Sequence, residues 1–231
     1  MSDELTARVA DVRERISAAL ERSGRAPGTV TIVAVTKTYP AAAVLAARDA
    51  GLTDVGENRV QELAEKVEAV GRDAVRWHLI GHLQRNKARR AIANFDLLHS
   101  LDSVRLAREL SEGASAAGTT VRALVQVNAS GEETKSGLEK AELVDALGEI
   151  CELPGLRVEG LMTMAPFTDD RAVLRRTFAA TRLARDEAAA QIPAFRGQEL
   201  SMGMSNDYEI AVEEGSTLVR LGTVLFGART T

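Results

Sequence analysis

The chain has 231 residues, 45% of them hydrophobic and 27% charged, with a net charge of -4. That length suits one larger domain or a barrel, and the slight acidity gives no global electrostatic case for a nucleic-acid partner. A single cysteine, Cys151, excludes an intramolecular disulfide and fits a reducing compartment. The polar opening residues lack a signal-peptide core, and no apolar run is long enough to span a bilayer. A soluble cytoplasmic protein is expected. The glycosylation triplet from Asn128 to Ser130 then reads as a chance match.

Leu5, Val9, Val12, Ile16 and Leu20 recur at helical spacing, which predicts an amphipathic helix over about residues 3–22. Strand-like and helix-like pieces then alternate. Strands are predicted at 30–35, 54–56, 77–80, 97–100, 121–127, 157–162, 199–201 and 217–221. Helices are predicted at 41–50, 59–70, 87–93, 103–117, 139–152, 169–190 and 207–214. Residues 131–137 read as a loop. Alternation of this kind implies a parallel sheet, and eight units predict an α/β fold closed as a single (β/α)8 TIM barrel, with one domain over residues 1–231. An open doubly wound sheet is the alternative.

The run Thr31-Ile-Val-Ala-Val-Thr-Lys37-Thr-Tyr-Pro40 ends a buried β-branched strand in a lysine. Carboxyl ends of parallel strands are where such folds keep their chemistry. Taken alone, this lysine is better explained by snorkelling into water, and only the rest of the chain turns the reading toward chemistry. Other strand ends bring Glu57-Asn58, Gly81-His82, Ser100, Asn128, residues 162–164, the turn Ser201-Met-Gly-Met-Ser205 and Arg220-Leu-Gly-Thr223 to the same face. The turn before residue 207 and the pair Gly222-Thr223 suit a phosphate, because free N–H groups at a helix start favour anions. Plain helix capping by Ser205 or Asn206 is the competing account.

Arg220 interrupts an apolar run and needs an acceptor or solvent. Its partner is either a carboxylate, with Glu57 the candidate, or the ring nitrogen of an aromatic cofactor. His78 and His82 alternate on one strand without a third ligand, so they read as packing or hydrogen-bonding residues and no metal site is expected. The basic run from Arg85 to Arg90 reads as a solvated helix face. Asp102, Asp169, Asp170, Glu132 and Glu133 read as caps and loop charges.

Several segments in order carry a resemblance. They are Val33-Ala-Val-Thr-Lys-Thr38, Val55-Gly-Glu-Asn-Arg-Val-Gln-Glu62 and Trp77-His-Leu-Ile-Gly-His-Leu-Gln-Arg-Asn-Lys87. Val127-Asn128, Lys135-Ser-Gly137, Gly160-Leu-Met162, Leu200-Ser-Met-Gly-Met-Ser205, Val219-Arg-Leu-Gly-Thr223 and Phe226-Gly-Ala-Arg229 follow. Over nearly its whole length the chain resembles the YggS/PROSC family of pyridoxal 5′-phosphate (PLP) homeostasis proteins. The resemblance implies a barrel like the amino-terminal domain of alanine racemase, with PLP held as an internal aldimine on Lys37. It places Arg220 at the pyridine nitrogen, Asn58 beside the ring, and Ser201, Gly222 and Thr223 at the phosphate, with Met202 and Ser205 as neighbours.

A lysine amine, an anion cradle and one arginine are the parts PLP requires. Guanidinium keeps its proton, so the ring would be a weak electron sink. Tyr39 and Tyr208 are the only tyrosines, and neither is an obvious second base for racemisation. The expectation is therefore an intracellular PLP buffer or carrier without catalytic residues. Such a protein would be a monomer, with apo PLP-dependent enzymes and amino acids as partners and no nucleic acid or membrane. The alternatives are a PLP-dependent amino-acid racemase or related α-carbon enzyme, and a lyase or aldolase with a substrate Schiff base on Lys37.

Overall fold

A computed structural model describes residues 2–129 and 136–227. Glu132, Glu133, Lys135, Arg229 and most of the expected 131–137 loop lie outside these residues, as does Ser130.

The amino-terminal helix α1 (Ser2–Arg22) buries Val9, Val12, Ala19 and Leu20 and packs against the last helices of the chain. After it come β1 (Thr31–Val35), α2 (Ala42–Asp49), β2 (Asp54–Glu57), α3 (Val60–Val70), β3 (Arg76–Leu79), α4 (Arg85–Ala91) and β4 (Leu97–Leu101). The second half comprises α5 (Val104–Ala117), β5 (Val121–Asn128), β6 (Leu138–Glu139), α6 (Leu143–Cys151), β7 (Leu156–Met162), α7 (Arg171–Gln191), β8 (Glu199–Ser201), α8 (Tyr208–Glu213), β9 (Leu218–Leu221) and α9 (Thr223–Phe226).

All strand pairs among the described residues are parallel, and β6 pairs only with β5. The other eight strands run in the order β1-β2-β3-β4-β5-β7-β8-β9, and β9 returns to β1. Pairing of Leu98 with Ala123 and of Leu101 with Val125 joins the two halves. That closure excludes the open sheet, which would leave two edges.

Two local differences from the sequence reading have short-range causes. The helix expected from Glu139 begins at Leu143, because Leu138 and Glu139 pair with Val127 and Asn128 instead. The four-residue α9 was not expected, since one turn is too short to show helical periodicity. Two helix starts among the described residues carry side-chain caps, of which Asp170 is the expected one. Asp170 caps α7 by accepting from Ala172 N and Val173 N, and Ser103 caps α5 by accepting from Leu106 N.

Strand alternation sorts the core into two layers. Ile32, Ala34, Val55 and Trp77 belong to the large shell between strands and helices. Val33, Leu97, Leu124, Met162 and Leu218 form a separate small cluster inside the barrel. The same parity turns polar groups inward. His99 lies two residues beyond Leu97 and Arg220 two beyond Leu218, and both are buried together with His78 and Ser201. No helix among the described residues is long and apolar enough to cross a membrane.

Candidate functional site

At the carboxyl ends of the strands lies a cavity of about 310 Å³. Lys37 reaches it by continuing the alternation of Val33 and Val35, which face inward from β1, and both Val35 and Lys37 line the cavity. The strand stops because Thr38 takes a left-handed φ of 67°, an uncommon conformation for a β-branched residue. Thr38 N donates to Glu62 Oε1 at 2.5 Å, and Tyr39 N closes the turn on Thr36 O at 3.0 Å. No hydrogen bond or ion pair among the described residues engages the Lys37 amine, which leaves it available to a ligand.

This turn is anchored from behind. Lys66, on the buried face of α3, donates to Thr36 O and Glu57 Oε1 at 2.7 Å each and to Glu62 Oε1 at 2.9 Å. Glu57 points outward from β2 and is fully buried, with Oε2 lacking a partner among the described residues. Burial raises its carboxyl above the usual range, against the hydrogen bonds from Lys66 and Thr36. Glu57 is therefore not the partner of Arg220, because strand alternation sets the two on opposite sides of the barrel wall.

Arg220 lines the cavity floor. Its Nη1 donates to Ser201 O at 2.8 Å and to Ser201 Oγ at 2.6 Å, and Nη2 donates to Thr163 O at 2.9 Å. Nε has no protein acceptor among these bonds. Burial pulls the guanidinium down to about 10, with Asp207 opposing, so it remains a cation near neutrality. Asp207 is also buried at the cavity, which raises its carboxyl although Oδ1 accepts from Met204 N at 2.6 Å.

Ser205, Gly222 and Thr223 come together on one wall. Gly222 N and Val224 N converge on Ser205 Oγ at 3.3 and 3.4 Å, long bonds that an anion could replace. Asn58 lines the wall beside Ile80. A Cβ on Gly81 would lie 2.2 Å from Asn58 O and 2.6 Å from its Oδ1, so only glycine leaves room for Asn58 there. Met164, Pro166, Phe167 and Met204 supply an apolar rim.

Two residues expected at the phosphate are not brought to the cavity wall. Ser201 is fully buried, its Oγ held between Arg220 and His99 Nδ1. Met202 is fully buried on the helix side, in the outer shell. The N–H groups that converge at the cavity wall are those of Gly222 and Val224, on Ser205 Oγ. Tyr39 lines the cavity with its hydroxyl donating to Gly227 O at 3.0 Å. Tyr208 is buried away from the cavity, with Arg15 of α1 beside its hydroxyl. No cluster of three or more metal-ligating side chains occurs among the described residues.

The sequence reading missed Lys66 and His99. A lysine three residues after Leu63 on the apolar face of α3 was a usable signal, as was a histidine between the inward Leu97 and the end of β4. A second cavity, of about 390 Å³, opens at the amino ends of β1, β2 and β3 and is lined by Arg13, Asp54 and Arg76. It contains no lysine and lies at the end where barrels keep stability, not chemistry.

Residues 9–230 match the family model described as alanine racemase, N-terminal domain. The chain is 40% identical over 231 residues to the pyridoxal phosphate homeostasis protein of Escherichia coli strain K12, covering 98% of this chain and 97% of that one. It superposes with a TM-score of 0.85 on PipY of Synechococcus elongatus PCC7942 with PLP bound, at 37% identity over 96% of this chain and 100% of the other. An unknown protein from Bifidobacterium adolescentis gives a TM-score of 0.92 at 41% identity, covering 97% of this chain and 95% of that one.

Proposed function

Because the chain belongs to the alanine racemase N-terminal-domain family, among the pyridoxal phosphate homeostasis proteins, we propose that it binds PLP in the strand-end cavity and buffers or carries it within the cell. The observation that carries this reading is the unpartnered Lys37 amine in one cavity with Arg220 and a helix start whose N–H groups converge on Ser205. These groups fit the cofactor's aldehyde, ring nitrogen and phosphate respectively. Lys37 holds PLP as a Schiff base, Gly222, Thr223 and Ser205 bind its phosphate, and Asn58 flanks the ring. Likeness to PipY, solved with PLP bound, supports the choice of ligand.

Bound PLP supplies an electrophilic carbonyl and an electron-withdrawing ring. Arg220 limits the second property, since a guanidinium donates to the ring nitrogen without protonating it. The cavity's other titratable groups are committed: Tyr39 to Gly227 O, Asp207 to Met204 N, and Arg220 to Ser201 and Thr163. Proton exchange on both faces of an α-carbon needs two free acid/base groups, so the cavity suits holding cargo better than turning over amino acids. The proposal covers one PLP-binding barrel domain over residues 1–231, acting as a cytoplasmic monomer that exchanges PLP with apo-enzymes.

Borohydride reduction of PLP-loaded protein, followed by peptide mass analysis, tests it. The pyridoxyl mass is expected on Lys37 and absent in Lys37→Ala, which should retain weaker phosphate-dependent binding. Label on another lysine in the wild type would overturn the assignment.

A further inference from the structure

A file of polar side chains crosses the barrel interior and ends at the cavity. Arg220 Nη1 donates to Ser201 Oγ at 2.6 Å, and His99 Nδ1 lies 2.8 Å from the same oxygen. His99 Nε2 lies 2.8 Å from His78 Nδ1, and His78 Nε2 lies 3.0 Å from Asp54 Oδ1. Asp54 Oδ2 in turn accepts from Arg76 Nη2 at 2.6 Å, on the opposite face of the barrel. All five members of the file from Arg220 to Asp54 are buried.

We propose that His99 is a positioning residue for Arg220, acting through Ser201, and that the file runs with a single donor direction from the cavity to Asp54. The assignment follows from counting protons. Arg220 can only donate, and a carboxylate can only accept. Hydrogen bonds from His78 and Arg76 hold Asp54 below the usual carboxylate range although burial opposes them. His78 therefore carries its proton on Nε2 and leaves Nδ1 as an acceptor. His99 donates to it from Nε2, so its Nδ1 accepts the Ser201 hydroxyl proton. The Ser201 oxygen is then free to accept from Arg220.

The reverse direction fails at Ser201. With His99 Nδ1 donating, Ser201 Oγ would accept from both neighbours, and its own proton would be buried without an acceptor, at a cost. Burial, with His78 and Arg220 close by, also pushes the His99 imidazolium well below its ordinary range, in keeping with an uncharged ring. The consequence for the cavity is orientational. Ser201 Oγ is locked as an acceptor, both Nη atoms of Arg220 are tied down, and the guanidinium plane is set for whatever ring nitrogen faces it.

The role at the ring rests on the PLP reading above, whereas the donor direction does not, and the experiment separates them. Nitrogen-15 histidine correlation spectra, recorded without PLP near neutral pH, should show His78 and His99 both protonated only at Nε2, with exposed His82 as the internal reference. An Nδ1–H tautomer at either position, or a doubly protonated His99, would overturn the file whether or not PLP binds.

With PLP added, His99→Phe should weaken binding about tenfold and shift the cofactor's absorption maximum. His99→Gln, whose Oε1 can accept from Ser201, should restore both, and His82→Gln should change neither. A wild-type absorption maximum and affinity in His99→Phe would refute the positioning role. Should His99→Phe fail to fold, Ser201→Ala breaks the same link, and an unchanged absorption maximum there would refute it equally. If wild-type protein binds no PLP, the functional reading fails, and the tautomers still decide the file.

Discussion

Lys66 Nζ sits 2.7 Å from Glu57 Oε1 and 2.7 Å from Thr36 O, so one buried ion pair braces the residue that precedes Lys37. The pair lies between β2 and α3, behind the cavity. It fixes where β1 ends, and through Glu62 it also holds the left-handed Thr38.

Removing one partner of such a pair leaves the other charge buried and uncompensated. Lys66→Met is expected to cost about 3–5 kcal/mol of folding stability, measured by urea denaturation near neutral pH. Adding Glu57→Gln should recover much of the loss, since it removes the stranded charge. A single variant as stable as the wild type would show that the pair does not brace the turn.

Gly81 is required by space, not by backbone conformation. An alanine Cβ there would meet Asn58 O at 2.2 Å, and a backbone oxygen yields less easily than a side-chain tip. Gly81→Ala is expected to cost about 1–3 kcal/mol and to weaken PLP binding by displacing Asn58. Asn58→Ala, which removes the side chain but keeps the backbone, should weaken binding with a smaller loss of stability. Denaturation midpoints and PLP titrations of the two variants check this ordering.

The cradle at α9 separates stability from binding. Ser205→Asp puts a carboxylate at a helix start, where it is favourable, yet opposes a phosphate at the same N–H groups. Folding stability should hold or rise while PLP affinity falls about tenfold or more. Ser205→Ala, which removes one hydroxyl contact without adding a charge, should weaken binding less than Ser205→Asp does. Equilibrium dialysis with PLP decides, and undiminished binding by Ser205→Asp would place the phosphate elsewhere.

His99 makes the fold acid-sensitive. Its ordinary value is 6.5, and in the folded chain burial, His78 and Arg220 hold it well below that. The unfolded chain therefore takes up a proton first as pH falls, and stability is lost from 6.5 downward. The slope from this residue approaches about 1.4 kcal/mol per pH unit until the folded value is reached. Urea denaturation at a series of pH values between neutrality and 5 should show this slope in the wild type and a shallower one in His99→Gln. Equal slopes would remove His99 from the account.

Much of this protein is written locally. A β-branched run ending in lysine, eight alternating strand and helix patterns, and the glycine-rich turns are consequences of short-range periodicity and backbone preference. They were sufficient for the barrel and for Lys37, Arg220, Ser205, Gly222 and Thr223 at one face. Which side of the wall each polar residue occupies was decided only by closure and register. A one-residue change of parity sends a side chain from the cavity to the helix interface. That is why Glu57 belongs to Lys66 and not to Arg220, and why Ser201 joins His99 below the cavity instead of the phosphate cradle at its rim. His99 is distant in sequence from Ser201, which it serves, and Lys66 reaches back 30 residues to Thr36 O. The first partnership exists only because β4 and β8 share the interior of a closed barrel, and the second because α3 packs over the outside of β2.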